Sequence, residues 1–316
     1  MVELVTVGDT SLRLSPRGNE RLETATDVRM HAAGTESNVA VAASRFGTDV
    51  VWLSKLPDTP LGRRVVSELH EHGIETQVGW SDEGRQGLSF YEPPCEPREA
   101  VRIHDRKRAA AETMSPGDLD MDLIQNASSV FVAGSTLALS ETAAETGAAV
   151  LRAGASGDGV SALELDYRPE LWSPAKARET LTGVFESVDV LFGSEDDVRT
   201  VLDRTGQARE LAPTIAAEWD LQMVVLTRSE HGALVYHDGV IHDRDAIETD
   251  TVDDTGQHDA FIGAFLAILL DGGEPDTALS TAVATASLSR TIPGPLATVD
   301  QAEVDRLVDS IEQSGF

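Results

Sequence analysis

Residues 253–265 read DDTGQHDAFIGAF and lead directly into the apolar run LAILL at 266–270. Apolar residues surround the axis of this predicted helix, which is typical of a helix buried in the middle of a domain. Its first turn then lies inside the protein, where free backbone N–H groups and the positive end of the helix dipole attract an anion, most often phosphate. Asp259 lies in this first turn, where a carboxylate either stabilises the helix start or takes part in catalysis.

Short apolar runs alternate with helical patterns along most of the chain. Strands are predicted at 4–7, 49–53, 129–133, 160–165, 188–192 and 223–226. Helices are predicted at 39–46, 58–73, 140–153, 174–185, 194–219 in two pieces, and 277–291. This alternation predicts a mostly parallel sheet covered on both faces, with ligands bound beyond the carboxyl ends of the strands.

A second, smaller sheet is predicted near the N-terminus. Residues 87–91 and 100–103 flank the proline-rich segment EPPCEP at 92–97, a pattern typical of a β-hairpin. We assign 12–33 and 87–111 to a small β-sheet lid. The remaining segments, 1–11, 34–86 and 112–316, form the large α/β domain.

The charge of the chain excludes several classes of partner. Its 316 residues carry 54 Asp and Glu against 25 Lys and Arg, a formal net charge of −29. Such a charge repels nucleic acid and anionic membranes, so neither is an expected partner. Only Lys55, Lys107 and Lys176 are lysines. An acid excess with few lysines resembles proteins of salt-loving (halophilic) microbes, and an ordinary acidic protein is the alternative.

The sequence also predicts the compartment. Its one cysteine, Cys95, cannot form an internal disulfide, which fits a reducing environment. The N-terminus MVELV has no basic segment followed by an apolar run, so no signal peptide is expected. No run of about twenty apolar residues, the length a spanning helix needs, is present. We therefore expect a cytoplasmic protein.

The stretch at 253–265 resembles the C-terminal signature of the ribokinase (PfkB) family of carbohydrate kinases, D-T-x-G-A-G-D-x-F. The resemblance implies a ribokinase-like three-layer α/β/α sandwich with a small β-sheet lid. It also implies that Asp259 is the base that takes the proton from the sugar hydroxyl, and that Gly256 begins the anion hole. Gln257 and His258 complete this catalytic segment at positions where the family has Ala and Gly, and a side chain at the second glycine normally obstructs close approach to phosphate.

Residues 33–40, AGTESNVA, match the N-terminal family segment G-G-x-x-x-N-x-A. The resemblance implies that Gly34 and Asn38 contact sugar hydroxyls, and Asp9, after the first strand, is placed in the same substrate group. From the residues alone, Asn38 is a helix-start residue that satisfies backbone groups.

Two arginines are the candidates for binding an acidic sugar. Residues 166–174, DYRPELWSP, resemble the N-Y-R-x-x-L-W-S-P segment of 2-keto-3-deoxygluconate kinases, in which the arginine, here Arg168, holds the sugar carboxylate. A guanidinium suits this task because its planar fork pairs both carboxylate oxygens. Arg106 falls where the same group has the arginine of Y-Y-R-x-x-S-A. From the residues alone, either arginine could instead pair with the plentiful surface acids.

The nucleotide and metal positions follow from two weaker motifs. Residues 194–197, SEDD, match the family pattern N-x-x-E, and the resemblance implies that Ser194 and Asp197 lie at the nucleotide, with Asp197 ordering Mg²⁺ through water. Residues 227–233, TRSEHGA, resemble the T-x-G-x-x-G-A loop beside the ATP phosphates. The resemblance implies that Thr227, Ser229 and Gly232 of this loop bind the nucleotide. Gly256, at the start of the anion hole, is expected to bind it as well. The alternatives are a helix N-cap at 194–197 and a hairpin start at 232.

Together these resemblances imply an enzyme that uses ATP as co-substrate, with Mg²⁺, to phosphorylate a hydroxyl of a sugar acid, most closely 2-keto-3-deoxygluconate. One alternative is a kinase for a neutral sugar such as fructose. Another is a catalytically impaired protein that binds sugar or nucleotide, because Gln257 and His258 replace Ala and Gly. The expected partners are small molecules, with a homo-oligomer formed through the lid by family analogy.

Overall fold

Strands and helices alternate along the computed structural model, which describes residues 2–157 and 159–313. The strands are β1 (Leu4–Val7), β2 (Ser11–Pro16), β3 (Val28–Ala33), β4 (Val50–Pro57), β5 (Glu75–Ser81), β6 (Leu88–Glu92), β7 (Val101–Asp105), β8 (Ser129–Ala133), β9 (Val160–Glu164), β10 (Val190–Ser194), β11 (Met223–Thr227), β12 (Ala233–His237) and β13 (Val240–Arg244). The helices are α1 (Thr35–Ser44), α2 (Pro60–Glu71), α3 (Met121–Gln125), α4 (Gly134–Leu137), α5 (Glu141–Ala155), α6 (Pro174–Thr182), α7 (Glu195–Val201), α8 (Ala208–Trp219), α9 (Gln257–Leu270), α10 (Pro275–Ser289) and α11 (Gln301–Gln313).

Nine of these described strands form the central sheet, in the order β13-β12-β11-β10-β9-β8-β1-β4-β5. All neighbours from β11 to β5 are parallel, and β12 and β13 add an antiparallel hairpin at one edge. Because the parallel strands share one direction, their carboxyl ends lie along the same edge of the sheet. The residues that follow β1, β9, β10 and β11 are thereby brought together.

Helices cover both faces of this sheet. Successive side chains of a strand point to opposite faces, so Val5 and Val7 of β1 pack into one core while Leu4 packs into the other. The first core also holds apolar residues of α3, α5, α6, α7 and α8, and the second holds those of α1, α2, α9 and α10. The result is the predicted three-layer sandwich.

Helix α9 lies in the middle of the second layer, between α1 and α10. Every residue from 260 to 267 is buried, as predicted from an apolar pattern without a polar face. Among the helices of the described ranges, none has both the length and the apolar content needed to cross a membrane.

A separate four-stranded sheet, in the order β3-β2-β6-β7, lies over the cleft and is called the lid below. Strands β2 and β3 are antiparallel, as are β6 and β7, and β2 and β6 join the two hairpins in parallel. The exact division of the chain between lid and large domain stays a prediction.

Two of the differences from the sequence prediction have a clear physical reason. Helix α1 begins at Thr35 rather than at Val39, because Gly34 has extended backbone and forms the N-cap, with no side-chain hydrogen bond. Asn38 therefore lies inside the helix, and its interpretation as a helix-start residue is wrong. Strand β5 was not predicted. It pairs only with β4 in the described sheet, and most of its side chains are half-buried, so its sequence lacks an apolar run.

Candidate functional site

Two cavities meet at the first turn of α9. The first, called the lid cavity, has a volume of about 500 Å³ and is bounded by lid residues that include Arg13 and Tyr91. The second, called the hairpin cavity, has a volume of about 520 Å³ and lies beside the hairpin β12–β13. Four residues line both cavities: Glu164, Asp166, Gln257 and His258.

The chain enters α9 through a turn that requires glycine. Gly256 has a φ of 79°, in the left-handed region, and a Cβ atom at this position would lie 2.0 Å from the carbonyl oxygen of Pro295. Gly256 lines the lid cavity. The close approach that glycine permits here is to protein backbone.

Asp259 lies in the first turn of α9 and lines the lid cavity. Its Oδ2 accepts a hydrogen bond of 2.6 Å from Nδ2 of Asn38, which is buried on α1. Burial and then the nearby charge of Glu164 raise the pKa of Asp259 to about 7, against the lowering effect of the Asn38 hydrogen bond. The pKa of Asp259 thus lies close to neutral pH, which suits a group that accepts a proton.

His258 connects α9 to two strand ends. Its Nδ1 lies 2.6 Å from Oε1 of Glu164, the last residue of β9, and its Nε2 lies 3.1 Å from Oγ1 of Thr227, the last residue of β11. Burial alone would lower the pKa of His258, but the charge and hydrogen bond of Glu164 outweigh it and raise that pKa to about 9. The imidazole ring is also stacked with Phe261. The side chain at this position therefore sits in a fixed place between the two cavities.

Arg168 lies in the wall of the lid cavity and is held by its own neighbours. Its Nε and Nη2 each donate a 3.0 Å hydrogen bond to a separate carboxylate oxygen of Asp166, and Nη2 also donates to Thr35 Oγ1. Burial opposes charge on both partners, but their mutual attraction raises the pKa of Arg168 and lowers that of Asp166. The pair keeps a rigid, charged guanidinium at the cavity.

Several polar atoms in and beside the lid cavity have no hydrogen-bond partner within the described chain. They are Asn38 Oδ1, Asp9 Oδ2, Arg106 Nε and His104 Nδ1. Buried polar atoms are normally hydrogen-bonded, so a cluster of unpaired ones favours a bound polar ligand. Arg106 lines the cavity, and its Nη1 lies 3.6 Å from Oδ2 of the buried Asp9. Burial and the neighbouring arginines lower the pKa of His104 to about 4, so this imidazole is neutral.

The hairpin cavity gathers the residues of the two weaker motifs. Ser194, Asp197, Thr227, Ser229 and Gly232 all line it. Ser194 Oγ accepts from the backbone N–H of Asp197, whose carboxylate accepts in return from the N–H of Ser194. The N-cap alternative for this pair is thus present as well.

The glycine-rich loop of the family is altered here. Ser229, where the family has glycine, keeps a left-handed φ of 51°. Gly232 has a φ of 84°, and a Cβ atom there would lie 1.9 Å from the carbonyl oxygen of Arg244. Both residues therefore preserve a tight backbone turn at the start of β12.

The lid is tied to the loop that precedes α9. Nη2 of Arg13, on β2, lies 2.6 Å from Oδ2 of Asp253, and both side chains are buried. Asp253 also accepts from the N–H groups of Thr255 and Gly294. Tyr91, on β6, donates from its hydroxyl to the neighbouring Asp254.

A second arginine of the lid completes this contact. Nη2 of Arg102, on β7, donates a 2.8 Å hydrogen bond to the same Asp254. The guanidinium groups of Arg13 and Arg102 lie 4.5 and 5.0 Å from the centre of the Tyr91 ring. The lid thus contacts the loop before α9 through two arginines and a tyrosine hydroxyl, and these three side chains also pack against one another within the lid.

Some residues of the site are not part of any motif in the sequence. Glu164 lies in a predicted strand, and an acid at the carboxyl end of an otherwise apolar run is a usable signal for a site residue. Its side chain is 3% exposed. Arg13 and Tyr91 had no such signal, because their contacts with residues 253 and 254 join distant parts of the chain.

Comparisons with known proteins identify the family of this chain. The model of the PfkB family of carbohydrate kinases matches residues 1–302. A 2-dehydro-3-deoxygalactonokinase from Haloferax volcanii is 47% identical over 306 residues, covering 97% of this chain and 96% of that protein. This relative is in keeping with the halophilic composition.

Two solved structures share the fold. A 2-dehydro-3-deoxygluconokinase from Thermotoga maritima has a TM-score of 0.93 at 24% identity, covering 98% of this chain and 100% of that one. A candidate ribokinase II from E. coli, in complex with ATP and Mg²⁺, has a TM-score of 0.87 at 20% identity, covering 98% and 100%. The predicted ribokinase-like fold and family are thereby confirmed. The protein is a phosphotransferase for a sugar hydroxyl, and it belongs to the PfkB family of carbohydrate kinases.

Proposed function

We propose that this kinase uses ATP with Mg²⁺ to phosphorylate a hydroxyl of a 2-dehydro-3-deoxy sugar acid, which is bound in the lid cavity. The observation that carries the proposal is the lining of this cavity, where Arg168 and Arg106 lie in the same space as Asp259. A chain of net charge −29 repels anions at long range and needs local cations to bind one. The name of the 47% identical relative, a 2-dehydro-3-deoxygalactonokinase, supports the same substrate class.

Asp259 is the proposed base. Its hydrogen bond from Asn38 fixes the carboxylate, and a pKa near 7 matches the task of taking a proton from the acceptor hydroxyl at neutral pH. The unpaired Oδ1 of Asn38 is suited to orient the sugar. The transferred phosphoryl group would lie at the free N–H groups of the first turn of α9.

The hairpin cavity is the proposed place of the nucleotide, next to the same helix start. Thr227 and Ser194 offer hydroxyl groups there, and the carboxylate of Asp197 faces the same space. Burial and the charge of Asp166 raise the pKa of Asp197, against the lowering effects of its hydrogen bonds with Ser194 and of the charge of His258. Oxygen donors of this kind fit Mg²⁺ held through water, and the ion would neutralise charge on the phosphates. Cytoplasmic location and oligomerisation through the lid stay predictions.

The test is an ADP-release assay with matched acceptors: the gluconate and galactonate forms of the 2-dehydro-3-deoxy acid, and fructose. Potassium chloride should be varied, because an acidic surface is adapted to salt. We expect kcat/KM for at least one acid to exceed that for fructose by about 100-fold, the effect of one or two charge-assisted hydrogen bonds. Equal use of fructose would contradict the sugar-acid proposal. Binding of ATP and acid without ADP release would favour the impaired alternative.

A further inference from the structure

His258 lies where the family signature has glycine, and its side chain is held in one position by two hydrogen-bond partners. It bridges the first turn of α9 to the ends of β9 and β11 through Glu164 and Thr227. All three residues border the hairpin cavity, and Glu164 and His258 border the lid cavity as well. The bridge therefore lies where the two substrates must meet.

Within this bridge, Glu164 is the buried acid whose negative charge is stabilised by His258. Its side chain is 3% exposed, one oxygen bonds to His258, and the other has no partner in the described part of the chain. The acids Asp166 and Asp197 line the same cavity. A buried carboxylate without a cation is costly, so His258 compensates a charge that would otherwise face the phosphates directly.

The direction of the hydrogen bonds gives the bridge a function. An imidazolium donates from both ring nitrogens, from Nδ1 to Glu164 and from Nε2 to Thr227 Oγ1. A hydroxyl that accepts from Nε2 keeps its own proton for another acceptor. Thr227 lines the hairpin cavity, so that acceptor can be a phosphate oxygen.

We propose that Glu164 is a positioning residue that holds His258 as an imidazolium at the head of α9. This cation, with Thr227 as its hydroxyl donor, binds the terminal phosphates of ATP in place of the missing glycine. The inference rests on the proposed function for its choice of nucleotide. It makes Glu164 and His258 a matched pair, so that restoring glycine at 258 alone weakens nucleotide binding.

The charged and titratable groups around the imidazole define the pH dependence. The charges of Glu164 on β9, Asp197 on α7 and Asp259 on its own helix all act on the imidazole, and the charge of Asp166 acts on Glu164. All four are acids, and Glu164 is the one in direct contact. Loss of the Glu164 charge should therefore lower the pH at which His258 loses its proton, and ATP affinity should fall at that lower pH.

The experiment measures the dissociation constant of ATP with Mg²⁺ by calorimetry, without sugar, from pH 6 to 9.5. Glu164→Gln should weaken ATP binding by about 10-fold at pH 8 and move the alkaline loss of affinity to lower pH. Glu230→Gln is the matched control, because this exposed acid borders the hairpin cavity without contacting His258. It should leave the pH at which affinity falls unchanged.

His258→Gly should weaken ATP binding by about 10-fold or more, and adding Glu164→Gln should recover part of that loss. The double variant also guards against misfolding, since recovery requires a folded protein. Tight ATP binding by His258→Gly, or an unshifted pH profile in Glu164→Gln, would overturn the proposal. Because sugar is absent, a wrong substrate class would leave these results intact, and failure of the bridge would leave sugar-acid specificity intact.

Discussion

The lid cavity and the hairpin cavity have nearly equal volumes but different means of attracting an anion. Four arginines line the lid cavity: Arg13, Arg102, Arg106 and Arg168. Among the described residues that line the hairpin cavity, Arg290 is the single arginine, and His258 is the other cation. Under the proposed function, fixed guanidinium groups would bind the sugar acid, whereas binding of the phosphates would depend on a helix start, one imidazolium and Mg²⁺.

The largest expected effect comes from Asp259, which lines the lid cavity next to His258. Asp259→Asn keeps the size of the side chain but removes the base, so kcat should fall by about 10²–10⁴-fold, the range for general-base catalysis. Calorimetry should show nearly unchanged binding of the sugar acid, because the arginines of the lid cavity are intact. Asp271→Asn, at the exposed far end of the same helix, is the control for loss of charge. Turnover of Asp259→Asn within 10-fold of wild type would remove Asp259 from its role.

The next largest effect concerns the buried ion pair that joins the lid to the loop before α9. Arg13→Met leaves Asp253 buried without its cation, which should lower the free energy of unfolding by about 3–5 kcal/mol. Because Asp253 also holds Thr255, KM for both substrates should rise. Arg63→Met breaks an exposed pair with Asp58 and should cost about 1 kcal/mol or less. Denaturant unfolding compares the variants, and equal losses of stability would show that the lid is not held by the buried pair.

A smaller effect should separate the cavities directly. Arg168→Lys keeps the charge but loses the fork that Asp166 and Thr35 hold in place, so kcat/KM for the sugar acid should fall by about 10–100-fold. KM for ATP should change little.

Arg290→Lys, in the hairpin cavity, is the matched variant and should show the reverse pattern. Steady-state kinetics with each substrate varied in turn measures both. A rise in the KM for ATP in both variants would contradict the assignment of the sugar acid to the lid cavity and of ATP to the hairpin cavity.

Most of the fold could be predicted from the sequence, because its signals are local. The apolar strands β1, β8 and β11 and the buried helix α9 follow from runs of side chains that require burial, whatever their partners. Residues of five motifs identified by resemblance line the two cavities, because each of these motifs follows a parallel strand or begins a helix at the same edge of the sheet.

What could not be predicted depends on contacts between distant residues. Strand β5 exists because β4 offers a free edge, while its own sequence, ETQVGWS, has no apolar run. From the sequence alone, a side chain at position 258 is expected to obstruct the approach of phosphate, because the residue that pairs with it is distant in the chain. Glu164, 94 positions earlier, makes it part of an ion pair, and no periodicity relates the two residues.

The smallest expected effect concerns the protonation of Asp259. Asn38 donates to its carboxylate and stabilises the charged form, so Asn38→Ala should raise the pKa of Asp259 further above its usual range. A base works only when it is unprotonated, and the acid limb of kcat should therefore move to higher pH, by about one unit for the loss of one charge-assisted hydrogen bond.

Saturating sugar acid is needed in this measurement, because Asn38 also borders the lid cavity and its loss should raise KM. Asn38→Asp is the sharper variant, since it adds a second carboxylate beside the first and should move the limb further in the same direction. If both variants keep the wild-type limb, the titration belongs to a group other than Asp259. If only KM changes, Asn38 contributes to sugar binding and does not set the pKa of Asp259. The charges of Glu164 and His258 then remain as the neighbours that set this pKa.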